Sequence, residues 1–365
     1  MTFLLPDLRL AVTEVSVRRF EADAPSSRGL AQAADAAAGP RPPVTGHLVG
    51  VGDGTSRGWW GPVSADVAGQ VRTLFSRVAS RSPMTPGGWS RRLSDATRHA
   101  HTGLLAVTRG AVELACWDLL GQRHGVPVWR LLRAAPTRDR VGSYATCFGI
   151  RLDSLPAPAV VREVAEVWPV QKWRPVRRMI RRGHPGLTAV AALPPGRVAL
   201  DFCGRWNADA ALRYVRRFPL PLAWVEEPCA PGDLLGLRPD RFPAPVAAGE
   251  HCYGVADTAV LSLAGIPVWQ PDAVFCGGFD AFRAITEIAA GQHRVVLPHG
   301  GGLLPALHAA FAGSSVRQVE FHILLEPRRQ VHLQWPTMPD PDGTFVPPQE
   351  PGWSGPLHDR LRMTA

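Results

Sequence analysis

Five residues able to hold a cation or move a proton recur in one setting in the second half of this 365-residue chain. Asp201, Glu226, Glu250, Asp272 and His299 each close a short apolar run: RVALD, LAWVEE, APVAAGE, VWQPD and RVVLPH. Asp201, Glu226 and Glu250 end three successive runs. If those runs are neighbouring strands about 4.8 Å apart, the carboxylates converge, and uncompensated negative charges so close repel strongly. A hard divalent cation resolves that conflict. Mg2+, one per site, is expected, because it prefers oxygen ligands and leaves positions for substrate oxygens. Glu227 competes with Glu226 for the inward position, since adjacent strand residues point to opposite faces.

Lys172 is the only lysine in the sequence; arginine supplies all its other permanent cations. Solvated faces and surface ion pairs can be built from arginine alone. A role that requires losing a proton cannot, because arginine stays charged in proteins. A chance surface survivor is the competing reading of Lys172.

The elements that must position these residues follow from the pattern of the runs. Short apolar stretches alternating with helical segments such as Asp209–Phe218 and Asp280–Gly291 read as β-α units of a parallel sheet. A chemically able residue at the carboxyl end of five consecutive strands is the layout of a β/α barrel. Extending the pattern gives a first strand at Val141–Thr146, a helix at Leu155–Val167 and a second strand at Pro169–Trp173 that ends near Lys172. Val316–Phe321 is the eighth strand and carries Glu320. Upstream, alternating stretches at 8–20 and 44–53 precede helices at Val63–Val78, Ser90–His101 and Leu104–His124, which makes an α+β domain standing before the barrel. The expected organisation is a capping domain over 1–135, a barrel over 136–330 and a Pro-rich tail over 331–365 that folds back onto the cap. Glu21–Pro43, rich in Ala, Gly, Pro and Ser, reads as a mobile loop able to close over the barrel mouth. Gly58–Pro62 is a second turn-rich spot, with two tryptophans.

Composition narrows the function classes. No apolar run reaches the roughly 20 residues needed to span a bilayer, and the start has no basic stretch before its apolar residues, as a signal peptide would. The six cysteines show no CxxC pairing and read as free thiols in a reduced cytoplasm. A net charge of +9 would suit a polyanion. The arginines, however, are spread evenly, with no basic arm and no aromatic interleaving, which argues against nucleic acid. A small-molecule carboxylate is the expected partner, with no membrane contact, and a homo-oligomer is expected.

Specific motifs then add a resemblance. DFCGRW from Asp201, WVEEP from Trp224, GEH from Gly249, QPDAVFCGG from Gln270 and PHG from Pro298 resemble the enolase superfamily, in its mandelate racemase/muconate lactonizing enzyme-like branch with the acid-sugar dehydratases. Gly110–Leu132 is similar to that family's last capping helix. The resemblance runs over roughly 8–358. It implies a (β/α)7β modified TIM barrel with an N-terminal α+β capping domain. It also implies Asp201, Glu226 and Glu250 as metal ligands, Asp272 and His299 as a dyad, and Glu320 as a contact to the substrate carboxylate. Where the family shows Lys-x-Lys on strand two, this chain has Lys172-Trp173-Arg174. Residues 172 and 174 share a face, so Arg174 can bind substrate but cannot act as a base. Cys203 replaces the family's asparagine, and His251 is a further candidate substrate contact.

The reaction this implies is Mg2+-assisted removal of the proton α to a carboxylate, then loss of the β-hydroxyl as water from an aldonic or aldaric acid. Lys172 or His299 takes the α-proton and the other serves as acid. A racemase or epimerase of the same superfamily is the alternative. So is a non-catalytic descendant that binds a sugar acid or a partner protein, suggested by Arg174 and Cys203.

Overall fold

The computed structural model describes residues 8–25, 30–154, 156–176, 185–335, 337–359 and 361–364. Leu155, residues 26–29 of the expected lid and the ends of the expected cap and tail lie outside them. Eight short strands form the central sheet: Val141–Thr146, Gln171–Trp173, Val198–Asp201, Val225–Glu226, Val246–Ala248, Val268–Trp269, Val295–Val296 and Gln318–His322. Each pairs in parallel with its neighbour in chain order, and the eighth lies parallel to the first. The ring closes where Val296 bridges Val316 and the Arg317 N–H donates to the Val296 carbonyl at 2.9 Å. These strands are buried on nearly every residue, which is why they read as apolar runs and not as alternating ones. Thr344–Phe345 adds antiparallel to the first strand.

The crossovers use helices at Ala157–Val167, Pro185–Ala191, Ala208–Val215, Thr258–Leu263, Phe279–Gly291 and Leu303–Phe311. After strand four a 3-10 turn, Pro231–Gly236, takes the helix's place; one proline and two glycines in six residues disfavour a longer helix. The fold is the (β/α)7β barrel with an N-terminal α+β layer.

In that layer Glu14–Ala22, Val44–Gly52 and Arg57–Val63 form an antiparallel meander, and Arg362–Thr364 adds to its edge. Ser64 caps helix Ala65–Val78 by accepting the Val67 N–H at 3.3 Å. The next helix runs Pro86–Ala96, earlier than the expected Ser90–His101, because Thr85 caps it and Pro86 fits its first turn. The expected loop at Glu21–Pro43 is not irregular throughout. Its alanine-rich part, Gln32–Ala38, is helical, as alanine favours, and the Ala33 N–H donates to Glu163 of the first barrel helix at 2.7 Å.

Helix Leu104–His124 lies in the seam between the two layers. A Cβ on Gly58 would come within 2.2 Å of the Leu119 nitrogen, and one on Gly110 within 2.1 Å of the Val274 carbonyl. Only glycine allows the cap strand on one side and a barrel loop on the other to approach this closely. Asp118 of the same helix accepts the N–H groups of Trp59 at 2.8 Å and Trp353 at 2.9 Å, tying cap sheet, helix and C-terminal segment together.

His308 makes a second tie. Its Nδ1 accepts the Trp129 N–H at 3.1 Å and its Nε2 donates to the Trp353 carbonyl at 2.7 Å. Burial pushes its pKa down to about 4 from an ordinary 6.5, so the folded ring is neutral. The unfolded ring binds its proton first, so this stability is fully present above pH 6.5 and is lost as the pH falls towards 4, by about 3 kcal/mol. Urea unfolding near pH 7 and near pH 4.5 should show His308→Gln with a pH-dependent loss smaller than the wild type's by that order; an unchanged pH dependence would refute the neutral buried ring.

Candidate active site

At the carboxyl ends of the strands a single ammonium stands among carboxylates. Lys172 Nζ lies 2.5 Å from Glu226 Oε1, 2.9 Å from Glu320 Oε1 and 3.7 Å from Asp201 Oδ2, and all four side chains are buried. Strand register brings them together: Asp201 is the cross-strand partner of Glu226, and Lys172 pairs with Thr146 on one side and Ala199 on the other. Glu226 Oε2 also accepts Trp224 Nε1–H at 2.9 Å and Gln270 Nε2–H at 2.7 Å. Glu320 accepts the Thr146 hydroxyl, the Gly300 N–H at 2.8 Å and the Tyr144 hydroxyl at 3.4 Å. Asp201 Oδ1 accepts the Cys203 N–H at 2.7 Å.

One positive charge does not satisfy this many acids. Burial alone would lower the Lys172 pKa, but Glu226 and Glu320 hold it well above the ordinary lysine value, so the amine is firmly protonated. Glu320 is depressed below its ordinary value: burial opposes this, and the Lys172 and His299 charges with the Thr146 bond outweigh it. Glu226, the nearest partner, is nonetheless raised to about 7, because its burial and the charge of Asp201 exceed what Lys172 returns. Asp201 and Glu250 are raised too, first by burial and then by neighbouring carboxylates.

On the other side of the mouth His299 Nδ1 lies 2.7 Å from Asp272 Oδ2, while its Nε2 is 3.4 Å from Glu250 Oε2. Asp272 is fully buried, and its Oδ1 accepts the Val274 and Phe275 N–H groups at 2.7 and 3.0 Å, which fixes the carboxylate that orients the ring. Burial lowers the imidazole pKa, but the Asp272 bond and the Glu250 charge override it and carry the value to about 9. His251 stands 3.7 Å from both Glu250 and Glu227.

Two expectations change. Glu226 and Glu227 were expected on opposite faces. Strand four ends at Glu226, Glu227 turns to φ 40°, and its buried carboxylate accepts the Gly249 N–H at 3.0 Å beside His251. Lys172 and Arg174 do not enter the mouth alike. Strand two stops at Trp173, and Arg174 is exposed with its guanidinium 3.9 Å above the Phe148 ring. Among the described residues no three His, Cys, Asp or Glu side chains come together as a metal-holding group. Lys172 sits between Asp201 and Glu226, and Glu250 turns towards His299.

Sequence reasoning passed over Gln270, Thr146, Tyr144 and His322. Thr146 ends barrel strand one, where the strand-end rule that singled out the acids applied as well; strand eight runs one residue past the expected Phe321 and ends at His322. Gln270 sits two residues before Asp272 in the same motif.

Residues 159–360, more than half of the chain, match the family described as enolase C-terminal domain-like, and the chain belongs to that family. Solved structures agree on the whole fold. A candidate dehydratase from Mesorhizobium loti is 22% identical over 96% of this chain and 97% of its own, with a TM-score of 0.76. A racemase from Streptomyces coelicolor A3(2) with bound magnesium is 21% identical over 95% and 97%, with a TM-score of 0.74. An enolase from Bradyrhizobium, complexed with magnesium and mandelic acid, is 19% identical over 97% of each chain, with a TM-score of 0.78. No helix among the described residues is long and apolar enough to cross a membrane.

Removing the ammonium while keeping the stem isolates its effect. Lys172→Met leaves Glu226 and Glu320 buried without a counter-charge and should destabilise the metal-free protein by about 3–5 kcal/mol, read as a lower urea midpoint near pH 7.

Proposed function

We propose that this chain is a lyase that removes the proton α to a carboxylate of an aldonic or aldaric acid and expels the β-hydroxyl as water. The observation that carries the reading is the His299–Asp272 pair, held at 2.7 Å and facing Glu250 across a mouth whose other wall is the Lys172 cluster. A nitrogen aimed at an acid-lined opening, with its other nitrogen fixed by a buried carboxylate, is arranged for proton transfer.

The site suits a divalent cation. Asp201, Glu226 and Glu250 are oxygen donors from three successive strands, and all three are raised by burial and mutual repulsion, the signature of too much negative charge for one lysine. Mg2+ bound there would supply Lewis-acid stabilisation of the charge that develops on the substrate carboxylate. The magnesium-containing relatives lend this support at the level of the family.

Within that frame His299 acts in its neutral form, which a cation held by Glu250 would favour by offsetting part of the charge that raises the ring's pKa to about 9. It takes the proton from the α-carbon, Asp272 stabilises the imidazolium that forms, and the imidazolium returns that proton to the departing β-hydroxyl. Glu320 and Lys172 set the local field for the substrate carboxylate, and His251 and Arg174 are placed to contact the rest of it. Lys172 Nζ is committed to Glu226, Glu320 and Asp201. That leaves His299 as the better-placed proton carrier and favours elimination over racemisation, which needs a base on each face.

His299→Asn should lower kcat by about 10²–10⁴-fold and abolish deuterium uptake at the α-carbon in D2O, while Mg2+ still raises the melting temperature. Asp201→Asn or Glu250→Gln should remove that Mg2+-dependent rise. Full activity in the His299 variant would sink the assignment. Mg2+ should also recover part of the stability that Lys172→Met loses, because the metal replaces the missing positive charge; no recovery would argue against these carboxylates as its ligands.

A further inference from the structure

His322 closes strand eight two residues beyond Glu320, on the same face of the strand. Its ring is 4% exposed and packs edge-on against Phe148, with centroids 5.6 Å apart. The same Phe148 ring lies under Arg174, with Lys172 Nζ 5.6 Å from its centroid. The Leu325 N–H is shared between the His322 carbonyl at 3.1 Å and His322 Nδ1, which accepts it at 3.3 Å. A nitrogen that accepts an N–H carries no proton, so in the neutral ring the proton is on Nε2. Nε2 is buried and has no hydrogen-bond partner. Burial, joined by the charge of Arg329, keeps the imidazole neutral by holding its pKa well below the ordinary value.

An orphaned buried donor is unfavourable and calls for an explanation. A purely structural histidine would be expected to use both nitrogens, as His308 does. This one spends Nδ1 on the loop that follows its own strand and leaves Nε2–H unused, on a ring close enough to Glu320 and Lys172 to feel both charges. We propose that the Nε2–H of His322 donates a hydrogen bond to a hydroxyl oxygen of the substrate chain, making His322 a specificity-determining contact. A hydroxyl fits better than a second carboxylate, because the neutral ring brings no positive charge and Glu320 next to it repels anions. The inference rests on the dehydratase reading for the kind of substrate, and on the orphaned nitrogen for the contact itself.

The test uses the full chain with Mg2+ in three forms: wild type, His322→Phe, which keeps a ring without a donor, and His322→Gln, which restores an N–H near the Nε2 position. The first measurement is the thermal midpoint without substrate. Because the Leu325 N–H keeps the His322 carbonyl as acceptor when Nδ1 is lost, an unused donor predicts that His322→Phe melts no lower than wild type; a fall of several degrees in His322→Phe would make the residue structural and overturn the proposal. The second is kcat and KM on whichever of D-gluconate, D-galactonate, D-glucarate and galactarate the wild type dehydrates. His322→Phe should lower kcat/KM by about 10-fold or more, mainly through KM, and His322→Gln should recover part of it. Wild-type kcat/KM in His322→Phe would overturn the contact. If the wild type dehydrates none of the four acids, the dehydratase reading fails, and the midpoint alone decides: unchanged or raised, it upholds the unused donor; lowered, it rejects it.

Discussion

The structure turns on one buried ammonium shared among acids that outnumber it. Burying a charge is expensive unless it is paired and hydrogen-bonded, and here Lys172 compensates Glu226 and Glu320 directly and Asp201 at 3.7 Å. Lys172 is the only lysine in the chain, and among the described residues no arginine joins that group of contacts. A compact ammonium on a flexible stem can reach three carboxylates from inside a barrel mouth, where a planar guanidinium would need more room. This accounts for a lysine at the one position where the chain does not use arginine. The negative charge left over is what the proposed cation would offset.

The two halves of the mouth are built differently. Around Lys172 the acids accept mainly from side chains, Thr146, Trp224 and Gln270 among them. Around His299 the support is backbone: Asp272 is held by the N–H groups of its own loop. That loop is braced in turn from the cap. Arg109 donates to the Cys276 carbonyl of that loop at 3.5 Å and to the Tyr253 carbonyl of the strand-five loop at 3.0 Å, and the buried Glu113 accepts the Phe279 and Asp280 N–H groups at 2.6 and 3.1 Å, at the start of the helix that follows. Both residues belong to helix Leu104–His124, so the cap holds the strand-six loop from which Asp272 orients His299.

Much of this was legible in the chain. Fully buried parallel strands leave uninterrupted apolar runs, and barrel geometry puts the residue that breaks each run at the mouth, so architecture and strand order followed from local pattern alone. The same logic covered Thr146, and His322 fell one residue past the strand end expected at Phe321. It passed over them because threonine and histidine at a strand end look ordinary until a neighbour from another strand is known.

What the sequence determined by itself was therefore the barrel, its cap and the set of charged residues brought to one end of it, since each depends on periodicity within a few residues. Tertiary structure alone decided how those charges share one another. Glu227 remains buried beside His251 because the strand stops one residue earlier and the backbone turns to positive φ. Arg174 stays exposed over the Phe148 ring while Lys172, two residues before it, is buried against the same ring. Lys172 pairs with Glu226 and Glu320, while Glu250 lies against His299. Pairing energies fall off over a few ångströms and depend on how deeply each group is buried, and neither quantity is written in the spacing of residues along a chain.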